Sequence, residues 1–148
     1  MKPPMTYSKA GEQLTERCEG CLLQAYSDTG GIWTIGYGHT HGVHEGMICT
    51  REQAEAWLRE DTQAAADAVN RLVQIPLKQS EFDALVDFVF NLGAGAFGRS
   101  TMLKDLKAGN LAAAALQFPL WDHDAGRVLA GLLHRRLAEQ MEFEGRTV

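Results

Sequence analysis

The sequence predicts an α+β fold of two lobes joined by a long helix, and three observations predict it. Gly30, Gly31, Gly36, Gly38, Gly42 and Gly46 punctuate short β-prone pieces such as Ile32-Trp33-Thr34-Ile35, the texture of a small antiparallel sheet. Directly behind it, Thr50-Arg51-Glu52-Gln53 reads as a capping box, a Thr followed three residues later by Gln. Ala54, Trp57, Leu58, Ala65, Val69 and Leu72 then recur at roughly helical spacing, so one helix should run to about residue 73 and bridge the two lobes. The stretch Phe82 to Phe90 is apolar nearly all round, as a helix at the centre of a second lobe must be.

The remaining elements follow in order. Ser8 to Glu19 reads as a helix with Ala10, Leu14, Arg17 and Cys18 on one face, and Gly20 can end it in a left-handed conformation. The small lobe should occupy about residues 20–50 and the linking helix about 51–73. The helical lobe, about 77–148, takes in the N-terminal helix. Pro76 breaks the pattern, Ser80 is the expected cap of the apolar helix, and Gly93 its end. Shorter helices are predicted from Ser100 to Lys107 and from Leu111 to Gln117 with Asn110 as cap, and a last one from about Val128 to Phe143. Trp33, Trp57 and Trp121 are expected in the core rather than as sugar-stacking platforms. With no repeat, low-complexity tract or flexible linker, residues 1–148 read as one domain. No heptad seam is visible, which predicts a monomer.

Composition narrows the function. Of 148 residues, 45% are hydrophobic and 22% charged, enough for a buried core and against disorder. The net charge of −5 argues against nucleic acid, whose binding rests on neutralising phosphates. It also argues against strong long-range attraction to an anionic wall, leaving Arg99, Lys104, Lys107 and the pair Arg135–Arg136 as candidates for a local basic patch. No apolar run approaches the roughly 20 residues of a membrane span, and MKPPMTYSKAGEQ lacks the apolar core of a secretory signal. Synthesis in the cytoplasm is therefore expected, with release by another agent if the protein works outside. Cys18, Cys21 and Cys49 are an odd count and build no disulfide framework. They read as small buried hydrophobes, with pairing of Cys49 to Cys18 or Cys21 in an oxidising compartment as the minor alternative.

The chemistry-bearing segment is CEGCLLQAYSDTGGIWTIGYGHT, Cys18 to Thr40. Glu19 falls at the C-terminal end of a helix, where the macrodipole disfavours negative charge, and burial would push the same way. That suits a group that must donate a proton near neutral pH. Asp28 sits among Ser27, Thr29, Gly30 and Gly31, where hydroxyls and free amides can stabilise a carboxylate. Thr34 alternates with Trp33 and Ile35, and its hydroxyl could hold one side of a water gripped on the other by Asp28. Cleavage of a glycosidic bond needs such an acid and a second group that activates water or attacks the sugar. Each residue alone also has a bland role: a solvated helix end, a turn Asp, a β-forming Thr.

EG followed by DTGG and WTIGYGH resembles the active-site segment of the phage T4-type lysozymes, the endolysin muramidases of glycoside hydrolase family 24. That family's pattern is a Glu, an Asp nine positions on and a Thr six further, and Glu19, Asp28 and Thr34 match both spacings. ALVDFVFNLGAGAFGRSTMLKDL, from Ala84 to Leu106, resembles the family's core helix and cleft-lining segment. GLLHRRLAEQMEF, from Gly131 to Phe143, resembles its C-terminal helix. The resemblance implies a two-lobed lysozyme-like fold and hydrolysis, with inversion, of the β-1,4 bond between N-acetylmuramic acid and N-acetylglucosamine in peptidoglycan. Glu19 would be the general acid, and Asp28 with Thr34 would orient and activate the water. No metal or organic cofactor is implied, and export would use a membrane lesion made by a partner such as a holin, from host cytoplasm to the wall in the periplasm. Asn91, Ser100 and Thr101 would contact sugar hydroxyls or N-acetyl groups, or else Asn91 merely finishes a helix and Ser100 caps one. His39 would be a structural histidine paired with a carboxylate, against a rival zinc set of His39, His41, His44 and Cys49 whose spacing matches no strong pattern. Arg135 and Arg136 read as partners of Glu139 or of acidic groups of the other lobe. Two further rivals are a lytic transglycosylase, which needs only the Glu, and a non-catalytic wall-binding domain, which needs none of the three.

Overall fold

A computed structural model describes residues 2–124, 127–128 and 130–146. Helix α1 (Lys9–Glu19) is capped by Ser8, whose Oγ accepts the Gly11 N–H at 3.2 Å, and it ends at Gly20 with φ at 69°. Strands β1 (Leu22–Ser27) and β2 (Trp33–Gly36) pair antiparallel, with Tyr26 opposite Thr34 and Ser27 opposite Trp33. The segment before the long helix runs along the outer edge of β1: Ala25 N–H donates to Met47 O at 2.8 Å and Cys49 N–H to Leu23 O at 2.9 Å. Gly36 turns at φ 64°, and a Cβ there would meet that of Ala54 at 3.0 Å, so its bare backbone lets the sheet lie close on the next helix.

That helix, α2 (Arg51–Leu72), starts in the capping box read from the sequence: Gln53 N–H donates to Thr50 Oγ1 at 3.1 Å and Thr50 N–H to Gln53 Oε1 at 2.9 Å. Its 22 residues span about 33 Å. Ala54 and Leu58 pack with Ile35, Tyr37 and Cys49 in the small-lobe core, whereas Ala65, Ala66, Ala68 and Val69 belong to the large core. One rigid element thus enters both lobes, and Phe90 packs against both cores.

Helix α3 (Gln79–Leu92) is the centre of the helical lobe, with Phe82, Ala84, Leu85, Val86 and Phe88 fully buried. Its cap corrects the expectation for Ser80. Lys78 is the N-cap, and the Glu81 carboxylate takes the Lys78 N–H at 2.7 Å, so Ser80 lies inside the first turn. Helix α4 (Ala94–Gly98) was not foreseen; its Gly-rich AGAFG has little helix propensity, and burial of Phe97 fixes it. Helices α5 (Thr101–Lys107) and α6 (Leu111–Gln117) follow, capped by Ser100 and Asn110, then one 3-10 turn at Phe118–Leu120. The last helix, α7 (Ala130–Phe143), starts two residues later than expected because Arg127–Val128 forms β4, paired with β3 (His123–Asp124). The expected start of that helix also touches residue 129, which lies outside the described residues.

The pair Arg135–Arg136 is no surface patch. Arg136 is fully buried, bound to Glu139 with its guanidinium 5.2 Å from the Phe88 ring centroid. Arg99, Lys104 and Lys107 are exposed. Glu139 and Asp87, both fully buried, face the two arginines. Burial and then the hydrogen bond and charge of Asp87 push the Glu139 carboxyl well above its ordinary value, against Arg136. Because folded Glu139 keeps a proton that the unfolded chain releases, its contribution to stability falls as pH rises above the ordinary carboxyl range. Glu139→Gln cannot titrate. Its melting temperature relative to the parent should therefore rise between pH 4 and pH 7.5, as thermal unfolding at the two pH values would show.

Candidate active site

Glu19 is the last residue of α1 and its carboxyl is about one-fifth exposed. Oε2 receives a 2.7 Å hydrogen bond from Arg135 Nη1. Oε1 lies over Gly38: a Cβ built there would stand 2.6 Å from it, and φ is 79°. The carboxyl is thus bounded by a guanidinium on one side and bare backbone on the other.

Asp28 opens the turn between β1 and β2. Its Oδ1 accepts the N–H groups of Gly30 and Ile32, each at 2.8 Å, and its own N–H donates to Ile32 O at 2.9 Å. The residue is exposed, and among the described residues Oδ2 carries no protein hydrogen bond. This is an Asx-type turn that leaves one oxygen for solvent or substrate. Thr34 is 5% exposed. Its hydroxyl donates to Ile32 O at 3.1 Å, the same carbonyl that receives the Asp28 N–H, so Thr34 and Asp28 meet through one peptide group.

Tyr26 sits across the ladder from Thr34, and burial, then the charges of Glu19 and Asp28, raise its hydroxyl above its ordinary value. The sequence reading passed over this residue.

The other candidates separate. Ser100 is 3% exposed; its hydroxyl accepts Leu103 N–H at 3.1 Å and donates to Phe97 O at 2.7 Å, so it caps α5 and has no free edge for a sugar. Thr101 is exposed beside it. Asn91, near the end of α3, has a buried Oδ1 with no partner, an acceptor still to be satisfied. His39 Nδ1 lies 2.7 Å from Asp61 Oδ2, and its ring stacks on Trp57 with centroids 4.5 Å apart. Among the described residues no group of three His, Cys, Asp or Glu could hold a metal. Asp61→Ala should strand the His39 nitrogen in a 6% exposed site and cost about 1–3 kcal/mol, read by denaturant unfolding. The three cysteines are free, Cys49 buried and Cys18 and Cys21 half-buried. Burial, then the charge of Asp87, raises the Cys18 thiol to about 11, which leaves it unreactive.

Arg135 is the residue whose place was least expected. It pairs with Asp87 and Glu19 of its own lobe, and only at 3.9 Å with Glu139.

Comparison with known proteins gives the family and the fold. The family model described as "Phage lysozyme" matches residues 16–139. An endolysin of Acyrthosiphon pisum secondary endosymbiont phage 1 is 42% identical over 144 residues, covering 95% of this chain and 99% of the relative. The muramidase domain of SpmX from Asticaccaulis excentricus superposes with a TM-score of 0.88 at 42% identity, covering 93% of this chain and 97% of that one. A crystal structure of a P22 lysozyme mutant gives a TM-score of 0.86 at 40% identity over 95% of this chain and 99% of the other.

Proposed function

Because the chain belongs to the phage lysozyme family, we propose that Glu19 protonates the leaving oxygen of a β-1,4 muramyl linkage while Asp28 draws a proton from the attacking water. The protein is an endolysin-type glycoside hydrolase that cleaves bacterial peptidoglycan. The observation that carries the residue assignment is the Ile32 carbonyl shared by the Asp28 N–H and the Thr34 hydroxyl, which sets the proposed base beside its helper.

In the proposed reaction the glycan lies over β1 and β2 with its scissile oxygen against Glu19. Arg135 fixes Oε2, which leaves Oε1, above Gly38, to carry the proton. As the bond breaks, the proton passes to the leaving sugar and positive charge grows on the ring. Asp28 Oδ2 takes a proton from water on the opposite face, and the amides of Gly30 and Ile32 hold the carboxylate for that task. Inversion requires the carboxyls to be about 6.5–9.5 Å apart so that a water fits between them. The Thr34 hydroxyl donates to Ile32 O, which leaves its lone pairs as acceptors for a proton of that water. Asn91 and Thr101 are proposed to meet the N-acetyl and hydroxyl groups of the glycan. Ser100 supports Thr101 by fixing the start of α5. We further propose a monomer that reaches the periplasmic wall from the host cytoplasm through a lesion made by a holin-type partner. No helix among the described residues is long and apolar enough to cross a membrane.

Digestion of purified peptidoglycan separates the possibilities. Reducing muramic ends of inverted configuration, read by mass and by NMR at early times, support the proposal. Anhydro-muramic ends would replace it with a transglycosylase, and binding without release with a wall-binding domain.

A further inference from the structure

The proposed acid cannot hold its own orientation. Glu19 ends a helix, and Gly20 behind it lies in a left-handed conformation with nothing within 4 Å of where a Cβ would be. Its one polar anchor among the described residues is Arg135 Nη1 at 2.7 Å. Arg135 is itself held from α3: Nε meets Asp87 Oδ2 at 2.9 Å and Nη2 meets Oδ1 at 2.8 Å. This two-point fork fixes the guanidinium plane, so Nη1 is left with one direction in which to point. Asp87 Oδ1 also accepts from Thr15 Oγ1 at 2.8 Å, and Thr15 lies one turn before Glu19 on α1. The helix that carries the acid and the arginine that grips it are therefore referenced to one carboxylate.

We propose that Asp87 is a positioning residue for the hydrolysis: through the Arg135 fork it sets the side-chain conformation of Glu19, and it must be a carboxylate to do so. The inference rests on the reading of Glu19 as proton donor. Stability alone gives little reason for this charge. A buried ion pair is often no more stable than well-packed apolar residues of the same volume, and Asp87 interrupts the apolar run of α3. Its surroundings keep it ionised. Burial would raise it, but hydrogen bonds from Glu139 and Arg135, the charge of Arg135 and the Thr15 hydroxyl outweigh burial and hold it at about 2. The other charged and titratable neighbours of the cluster are Tyr7 on the N-terminal segment, Cys18 on α1, Asp83 on α3 and Arg136 on α7. In the hydrogen bonds of this site none of them accepts from Arg135 Nη1, which donates to Glu19.

The test measures kcat and KM of the full chain on soluble peptidoglycan fragments for Asp87→Asn, Arg135→Lys, the double variant and Glu19→Gln, with each fold checked by circular dichroism and melting. Asp87→Asn should lower kcat about tenfold or more with KM within twofold. A neutral amide cannot accept both guanidinium edges, so the fork opens. Arg135→Lys should do the same, because an ammonium does not fork. The double variant should be no slower than Arg135→Lys alone, as expected when one residue acts only through the other. Parental kcat in folded Asp87→Asn would overturn the proposal, and so would an equal further loss in the Arg135→Lys background. If Asp87→Asn does not fold, Arg135→Lys decides alone, and unchanged kcat there overturns it. Activity retained in Glu19→Gln removes the donor reading instead, whereas an inactive Glu19→Gln beside a fully active Asp87→Asn removes only this inference.

Discussion

Glu19→Gln should lower peptidoglycan hydrolysis by about 10²–10⁴-fold, the range for losing a positioned general acid, and leave the fold in place. The substitution keeps shape and volume. The amide oxygen can still accept from Arg135 Nη1, now 2.7 Å from Oε2, and the backbone at Gly20 and Gly38 is untouched. What is lost is the transferable proton. The measurement is release of reducing ends at several pH values, with thermal melting as the control for folding. Activity within a few-fold of the parent, at a parental melting temperature, would remove Glu19 from the donor role. A low activity restored by high pH would point to a different group in that role. Any melting change should be small, because the site is partly open and the Arg135–Asp87 fork, both atoms deep in the lobe, stays intact.

How much of this was legible in the sequence follows from the range of each interaction. The ends of α1, α2 and α3 at Gly20, Thr50 and Gly93 were readable because caps are local, made within four residues of the end they serve. The Asp28 turn was readable for the same reason, since its bonds to Gly30 and Ile32 span two and four residues. The contacts that orient the acid were not. Arg135 lies 48 residues from Asp87 and 116 from Glu19, and periodicity carries no trace of such pairs. One signal was present and passed over: Asp83 and Asp87 stand one turn apart in a helix read as apolar all round. A buried carboxylate needs a partner, and these two find theirs in Ser8 and Arg135. Ser80 shows the opposite failure. A good capping residue was available, but Glu81 reached back to the Lys78 amide and moved the helix start past it. The C-terminal helix was anticipated by its pattern, and its first turn was displaced by the pairing of Arg127–Val128 with His123–Asp124, a contact with no strong strand signal in so short a piece.

Gly38→Ala should be the most damaging substitution outside the charged groups. Two separate costs meet at this position. The backbone is at φ 79°, where a Cβ strains the chain by about 1–2 kcal/mol. The new methyl would also stand 2.6 Å from Glu19 Oε1, inside any permitted contact. The neighbours cannot absorb this equally. His39, next in the chain, is clamped by Asp61 and stacked on Trp57, and Ile35 bonds to it in both directions at 2.9 Å, so the turn has little freedom to withdraw. The Glu19 side chain is the softer partner. It should swing away from Gly38 and pull against Arg135. A displacement of about 1 Å at a reacting group can cost on the order of 10²-fold in rate, so kcat should fall by that order while melting reports only the modest backbone strain. The paired variant Gly38→Ala with Glu19→Asp tests the mechanism directly. Shortening the acid by one methylene makes room for the methyl, so the double variant should lose less relative to Glu19→Asp than Gly38→Ala loses relative to the parent. Strictly additive losses would mean that Gly38 acts on something other than Glu19.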